Sequence, residues 1–338
     1  MFLTRPSLIP AALVACAVIA SPAAAERDDL LLVVNREDKQ LSIYKAEGTG
    51  LTLVKQLPVG EASREVCLSP DGRRAYVSAQ KGNSVTVADL DSLSVVGTFT
   101  PAGLNTPDGC AVSPDGTRVF VTSSKSDALF VLSASDGKLV KEIAVPVKGP
   151  RRLVFSIDGK RLFVGSNNTP AVAVVDAVGL SVERTIPVGS EPRGGPAVTP
   201  DGATMLVGNI EDDTVSWVDT KTNQVRRVMG VPMSPQRIEV AKDGASAYVL
   251  CGVGYTDPDA NKTTVLFQMS LGAKRDTSRG VVLGPSSGWG LALNGAKTLA
   301  YASTYREGTI HVVDLATLKV VKTVPVGKDP NGIAFRPK

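Results

Sequence analysis

The phrase that decides the fold is Ala111-Val112-Ser113-Pro114-Asp115-Gly116, followed two residues later by Val119-Phe120-Val121-Thr122. It reads as strand, tight turn, strand, because Gly accepts a positive φ and Asp bonds the local backbone. The phrase recurs as Val66-Cys67-Leu68-Ser69-Pro70-Asp71-Gly72, Val154-Phe155-Ser156-Ile157-Asp158-Gly159 and Ala197-Val198-Thr199-Pro200-Asp201-Gly202. Weaker copies are Val240-Ala241-Lys242-Asp243-Gly244 and Leu291-Ala292-Leu293-Asn294-Gly295. The turns at 71, 115, 158, 201, 243 and 294 lie 44, 43, 43, 42 and 51 residues apart.

Each turn leads into a second short β-type run such as Ala75-Tyr76-Val77-Ser78 or Leu162-Phe163-Val164-Gly165. A third run, often closed by Asp, follows, as in Val172-Ala173-Val174-Val175-Asp176. A fourth ends at a corner such as Ile186-Pro187-Val188-Gly189. Four short strands at this period predict an all-β protein, a β-propeller with four antiparallel strands per blade. The ends supply the last blade. Leu31–Asn35, Leu41–Tyr44 and Leu53–Gly60 match strands two to four, and Gly332–Lys338 matches strand one. A composite blade therefore closes a ring of seven, and residues 26–338 form a single domain.

The repeated phrases resemble those of the YVTN-type β-propeller repeat proteins. The resemblance rests on Tyr76-Val77-Ser78 and Phe120-Val121-Thr122-Ser123, with Ser/Thr-Pro-Asp-Gly before and Ile-Pro-Val-Gly after, and spans residues 30–338. It implies a seven-bladed ring but no one activity. Members serve as exported binding proteins, surface-layer proteins and accessories of periplasmic oxidoreductases.

Residues 1–25 read as an export signal: Arg5 precedes an apolar stretch, and Ala23-Ala24-Ala25 offers a small-residue cleavage site before Glu26. Leu13-Val14-Ala15-Cys16 resembles a lipobox, so a lipid anchor at Cys16 is the alternative to free export. Either route leads to a periplasmic or secreted protein. The remaining cysteines, Cys67, Cys110 and Cys251, are an odd number and read as small buried hydrophobes.

Composition narrows the chemistry. Lys and Arg number 37 against 33 Asp and Glu, and 5% of the 338 residues are aromatic. Single-stranded nucleic-acid binding would need basic grooves with stacking aromatics, so nucleic acid is the weakest reading. One histidine, His311, excludes multi-histidine metal centres, and its third-strand slot is filled by Thr86, Ala173 and Ser216 in other blades. That slot makes it a structural or solvent-facing histidine. Asp257, Asp259 and Asn261 alternate as at the start of a calcium loop, but Lys262 stands where Gly is needed and Gln268 where a bidentate Glu belongs. No cofactor motif is present, and Gly194-Gly195 and Gly288-Trp289-Gly290 read as close packing.

One constellation remains. The connections into successive first strands carry Arg64, Asp108, Arg151-Arg152, Arg193, Arg237, Trp289 and Asn331, and propeller geometry gathers them at the channel mouth. Arginine suits planar anionic groups. The alternative is that these arginines brace loops by bonding carbonyls and acids such as Glu61 and Glu65. The expectation is a monomeric, non-enzymatic scaffold whose channel mouth binds a protein partner or a small anionic ligand. The rival is an enzyme or redox accessory, either a lactonase-like hydrolase or a helper of a quinoprotein dehydrogenase.

Overall fold

The second strand of every blade is hydrophobic on both faces, and the ring is built around those strands. Leu30–Asn35 is buried at every position, while the fourth strands, such as Leu139–Ala144, are largely exposed. A strand sandwiched between neighbouring blades has no solvated face, so it reads as a continuous apolar run rather than an alternating one. A computed structural model describes residues 27–252, 263–272 and 278–338. The expected export signal (1–25) and the calcium candidates Asp257, Asp259 and Asn261 lie outside the described residues.

Seven four-stranded antiparallel sheets make the seven-bladed β-propeller. The first, innermost strands are Ser63–Leu68, Pro107–Val112, Pro150–Phe155, Pro196–Val198, Pro235–Val240, Leu291–Leu293 and Pro330–Arg336. They define blades 1 to 7 below. In blade 7, Pro330–Arg336 pairs with Leu30–Asn35, placing Val33 opposite Ile333, and the two chain ends complete one sheet.

The repeated turn is held by its own side chains. Ser69 Oγ donates to Asp71 Oδ1 at 2.6 Å, the Arg73 amide donates to the same oxygen at 3.0 Å, and Gly72 adopts φ +66°. Gly116, Gly159, Gly202 and Gly244 repeat that backbone with φ between +67° and +72°. Blade 6 departs from the expected register. The Asn294 amide bonds the Leu299 carbonyl as Ser69 bonds Arg74, so Asn294 stands in the Ser69 place, not the Asp71 place. Lys297 then occupies the glycine position, at φ +55°.

The cysteine expectation needs correcting. Cys67 and Cys110 form a disulfide between the first strands of blades 1 and 2, with Cα atoms 5.8 Å apart, while Cys251 is free and buried. At 43 residues apart they fall one short of the 44-residue period between blades 1 and 2, so neighbouring first strands bring them together one position out of step. His311 is a satisfied buried side chain. Its Nε2 lies 3.2 Å from the hydroxyls of Thr304 and Thr309, and its Nδ1 lies 3.2 Å from that of Thr323. Burial lowers its pKa.

Candidate functional site

The strand pairing fixes which residues share a level in the channel. Val66, Cys110, Leu153, Pro196, Ile238, Leu291 and Ile333 occupy equivalent positions opposite the second strands. Two residues earlier, at the mouth, stand Arg64, Asp108, Arg151, Gly194, Gln236, Trp289 and Asn331. One level deeper stand Glu65, Gly109, Arg152, Gly195, Arg237, Gly290 and Gly332. Arg237 therefore belongs with Glu65 and Arg152, one level below Arg64. Arg193 lies one residue before the mouth level, in the 3-10 turn Pro192–Gly194. The arginines are thus staggered, not equivalent.

The deeper level explains its four glycines. A Cβ on Gly195 would sit 2.9 Å from Arg152 Cδ, and one on Gly332 would sit 2.8 Å from Glu65 Cα. Cβ atoms on Gly109 and Gly290 would meet the carbonyls of Arg151 and Asn331 at 2.5 and 2.3 Å. Those glycines pack neighbouring backbones closely and leave the lumen to three long side chains. Arg152 Nε donates to Glu65 Oε2 at 3.0 Å, and Arg237 donates an Nη1 hydrogen to the same oxygen at 2.8 Å. Arg152 also donates to the Trp289 carbonyl at 3.1 Å and to the Gln236 carbonyl. This guanidinium therefore ties blade 3 to blades 1, 5 and 6 across the axis. The triad plugs the channel.

Above the plug, Asp108 is shared in the same way. Arg151 Nη1 is 2.5 Å and Arg64 Nε 3.4 Å from Asp108 Oδ2, and Gln80 donates to that oxygen at 3.0 Å. The Arg64 guanidinium also lies over the Trp289 ring, 5.5 Å from its centroid. Trp289 itself is buried, so it backs an arginine instead of offering a stacking face. Arg193 Nε pairs with Glu191 at 3.0 Å. Asn331 is buried near Asp329, whose carboxylate meets Arg36 at 3.2 Å.

Serine and threonine of the second strands hold this backbone in place. Ser78 Oγ accepts from the Glu65 amide at 3.2 Å and donates to the Asp108 carbonyl at 2.5 Å. Thr122 and Ser303 accept from the Gly109 and Gly290 amides at 2.8 and 2.9 Å. The hydroxyl that ends the Tyr-Val-Ser phrase thus satisfies a bulged, channel-facing amide.

The electrostatics follow from burial opposed by charge. Burial pushes Asp108 up, but Arg151, Arg64 and Arg152 outweigh it and hold the carboxyl down to about 2. Glu65 is likewise held low: burial opposes, and Arg237 and Arg152 prevail. Burial, reinforced by neighbouring Arg237, draws Arg152 down to about 10. Four guanidinium groups converge on two carboxylates, leaving the centre positively charged. The recess that Arg64, Arg151, Arg193 and Trp289 surround holds only about 20 Å³. It admits the tip of an anionic group, not a whole molecule. Among the described residues, no three His, Cys, Asp or Glu side chains gather as metal ligands would.

Of the sequence candidates, Arg64, Asp108, Arg151, Arg193, Trp289 and Asn331 do meet at the mouth, and Arg237 forms part of the floor beneath them. Glu65 and Arg152, the core of the plug, are visible in the sequence only as a bracing acid and as the neighbour of Arg151. Aligning all seven first strands would have revealed them, as the three long side chains on a level otherwise made of glycine.

The fold and site define an all-β, seven-bladed propeller with an arginine-rich, plugged channel. Comparison with known proteins agrees at that level. Residues 34–168, less than half of the 338-residue chain, match the family model SMP-30/Gluconolactonase/LRE-like region. No curated protein sequence matches significantly. Among solved structures, the hydrazine synthase of Kuenenia stuttgartiensis superposes with TM-score 0.71 at 21% identity, covering 80% of this chain and 88% of its own. The dihydro-heme d1 dehydrogenase NirN, in complex with DHE, gives 0.68 at 19%, covering 93% and 76%. A functionally unknown protein from Desulfotomaculum acetoxidans DSM 771 gives 0.74 at 17%, covering 91% and 99%. At these identities the likeness is one of fold alone.

Proposed function

We propose that this is an exported, non-enzymatic propeller that captures an anionic group, on a small ligand or an acidic protein segment, at its channel mouth. The observation that carries the reading is the sharing of carboxylates: Arg64 and Arg151 share Asp108, and Arg152 and Arg237 share Glu65, with Arg193 on the same rim. Forked guanidinium donors left over from such sharing suit carboxylate, sulfate or phosphate oxygens. Loops on a rigid scaffold are where binding usually resides. Export is supported by the Cys67–Cys110 disulfide, since such bonds persist mainly in oxidising compartments. The YVTN-type repeat assignment belongs to this reading and rests on the phrases around Tyr76 and Phe120.

The test is titration of a labelled hexaglutamate peptide at low salt against the wild type and the Arg64→Gln, Arg193→Gln double variant. These two changes leave Arg151 on Asp108 and both arginines on Glu65, so each of the two buried carboxylates keeps an arginine. Replacing Arg151 and Arg237 as well would strand Asp108. The double variant should bind roughly tenfold more weakly, as expected for losing two partly exposed charge contacts. Equal affinity would end the proposal.

A second reading is favoured by the family match over residues 34–168, a lactonase-like hydrolase. Its test is a screen of five- and six-membered lactones with added divalent cations. Hydrolysis above the blank that is lost in a channel variant would replace the non-enzymatic reading. A redox-accessory role draws only on likeness of fold.

A further inference from the structure

Below the plug, the channel opens into a second space that the mouth reading leaves unused. This cavity of about 260 Å³ is roofed by Glu65, Arg152 and Arg237 and extends toward the turns that join first and second strands. The apolar part of its wall includes Cys67, Val154, Ala197, Val198 and Val240. Glu239, opposite Tyr248, lines the same cavity. Below the charged roof, the Glu239 carboxyl thus lines a space shared with valine, alanine and sulfur.

Glu239 comes no nearer than 4.0 Å to Arg237 Nε, and among the described residues no hydrogen bond reaches its carboxylate. Arg237 in turn spends one Nη1 hydrogen on Glu65, and its Nε and Nη2 donate to nothing among the described residues. The third charge is Lys297. It occupies the turn position that is glycine in blades 1 to 5, at φ +55° where an L side chain is strained. From there its Nζ reaches the Val240 carbonyl at 2.7 Å and enters the same cavity. Strained backbone that delivers a cation into a small-walled lumen points to use of that cation.

We propose that this cavity binds a small monocarboxylate, its head held by Lys297 Nζ and the remaining donors of Arg237, its short apolar body against the alanine and valine wall. The charges facing the site are Arg152, Arg237 and Lys297 against Glu65 and Glu239, an excess of one positive charge that becomes two when Glu239 is protonated. Glu239 controls occupancy. Ionised, it repels the incoming carboxylate; protonated, it donates a hydrogen bond to it. Burial raises the Glu239 pKa, with Arg237, Lys297 and Arg152 opposing and Glu65 assisting. Binding therefore tightens as pH falls through that raised value while the ligand stays ionised. The plug separates this site from the mouth, so the two readings stand or fall separately.

The experiment is calorimetric titration of the full mature protein with hexanoate, hexanol and hexylamine at pH 8 and pH 5.5. Hexanoate should bind one to one, more tightly at pH 5.5, and hexanol should not bind. Glu239→Gln should tighten hexanoate at pH 8 and flatten the pH dependence. Lys297→Gly relieves the backbone strain, so it should melt no lower than wild type while binding hexanoate ten- to a hundredfold more weakly, the range for one charged hydrogen bond. Arg64→Gln with Arg193→Gln should leave hexanoate affinity unchanged. Preference for hexylamine, absence of binding, or hexanoate affinity indifferent to Lys297→Gly would each overturn the proposal.

Discussion

Asp108 and Glu65 carry more of this molecule than their number suggests, because each is a buried carboxylate shared by two arginines. The pKa of Asp108 is depressed from 3.8 to about 2, so its contribution is present above the unfolded value, near pH 4, and is lost as pH falls toward 2. That depression is worth about 2 kcal/mol. Asp108→Asn should remove this part of the acid dependence between pH 4 and pH 2 in urea titrations, whereas an unaltered acid limb would show that the pairing does not stabilise the fold. Glu65→Ala should cost about 3–5 kcal/mol, because Arg152 and Arg237 would be left buried beside each other. At this scale the sequence was half legible. The arginines before the first strands were visible, but their levels were not. Arg193 precedes the mouth level because a 3-10 turn opens blade 4, and Arg237 falls below it because Gln236 takes the mouth place at the bulge that blades 1, 2, 3 and 5 share. Neither leaves a signal in hydrophobic period.

Between elements, the most informative contact is the disulfide joining the first strands of blades 1 and 2. The chain encloses 43 residues between its ends, for which loop-closure arguments give about 4 kcal/mol. Under denaturing, non-reducing conditions a chain processed before Glu26 should titrate one thiol, Cys251, and three only after reduction. Cys67→Ser with Cys110→Ser should melt lower without changing the far-ultraviolet spectrum. Three accessible thiols before reduction would remove the bond from the account. The strands themselves were legible, since valine-rich runs and Ser-Pro-Asp-Gly turns report local chemistry. The disulfide was not: an odd cysteine count argues against a framework, and pairing across a blade boundary depends on register, which cysteine spacing alone does not state. The blade 6 turn was misread for a similar reason. Asn294-Gly295 imitates Asp-Gly, yet the glycine place in that turn is taken by Lys297.

The whole ring depends on its two ends meeting. Leu30–Asn35 pairs with Pro330–Arg336, the Lys338 amide donates to Asp29 at 2.8 Å, and Phe335 stacks on Tyr301 with centroids 5.6 Å apart. Deleting residues 333–338 should expose an inner sheet edge and lower the melting temperature by at least about 10 °C, given the burial lost with Ile333 and Phe335. Unchanged melting would contradict closure by end pairing. This architecture was readable from repeat period alone, because four strands every 42 to 51 residues leave few other arrangements. What the ring does was less readable, since the channel is a product of seven first strands that only the fold aligns. The claim that its mouth binds anions is tested most directly by a crystal structure grown with selenate at low chloride. The account predicts an anomalous peak on the mouth side of the Glu65–Arg152–Arg237 plug, within hydrogen-bond reach of Arg64 and Arg193. A mouth without that peak, at selenate concentrations that saturate binding in solution, would contradict it.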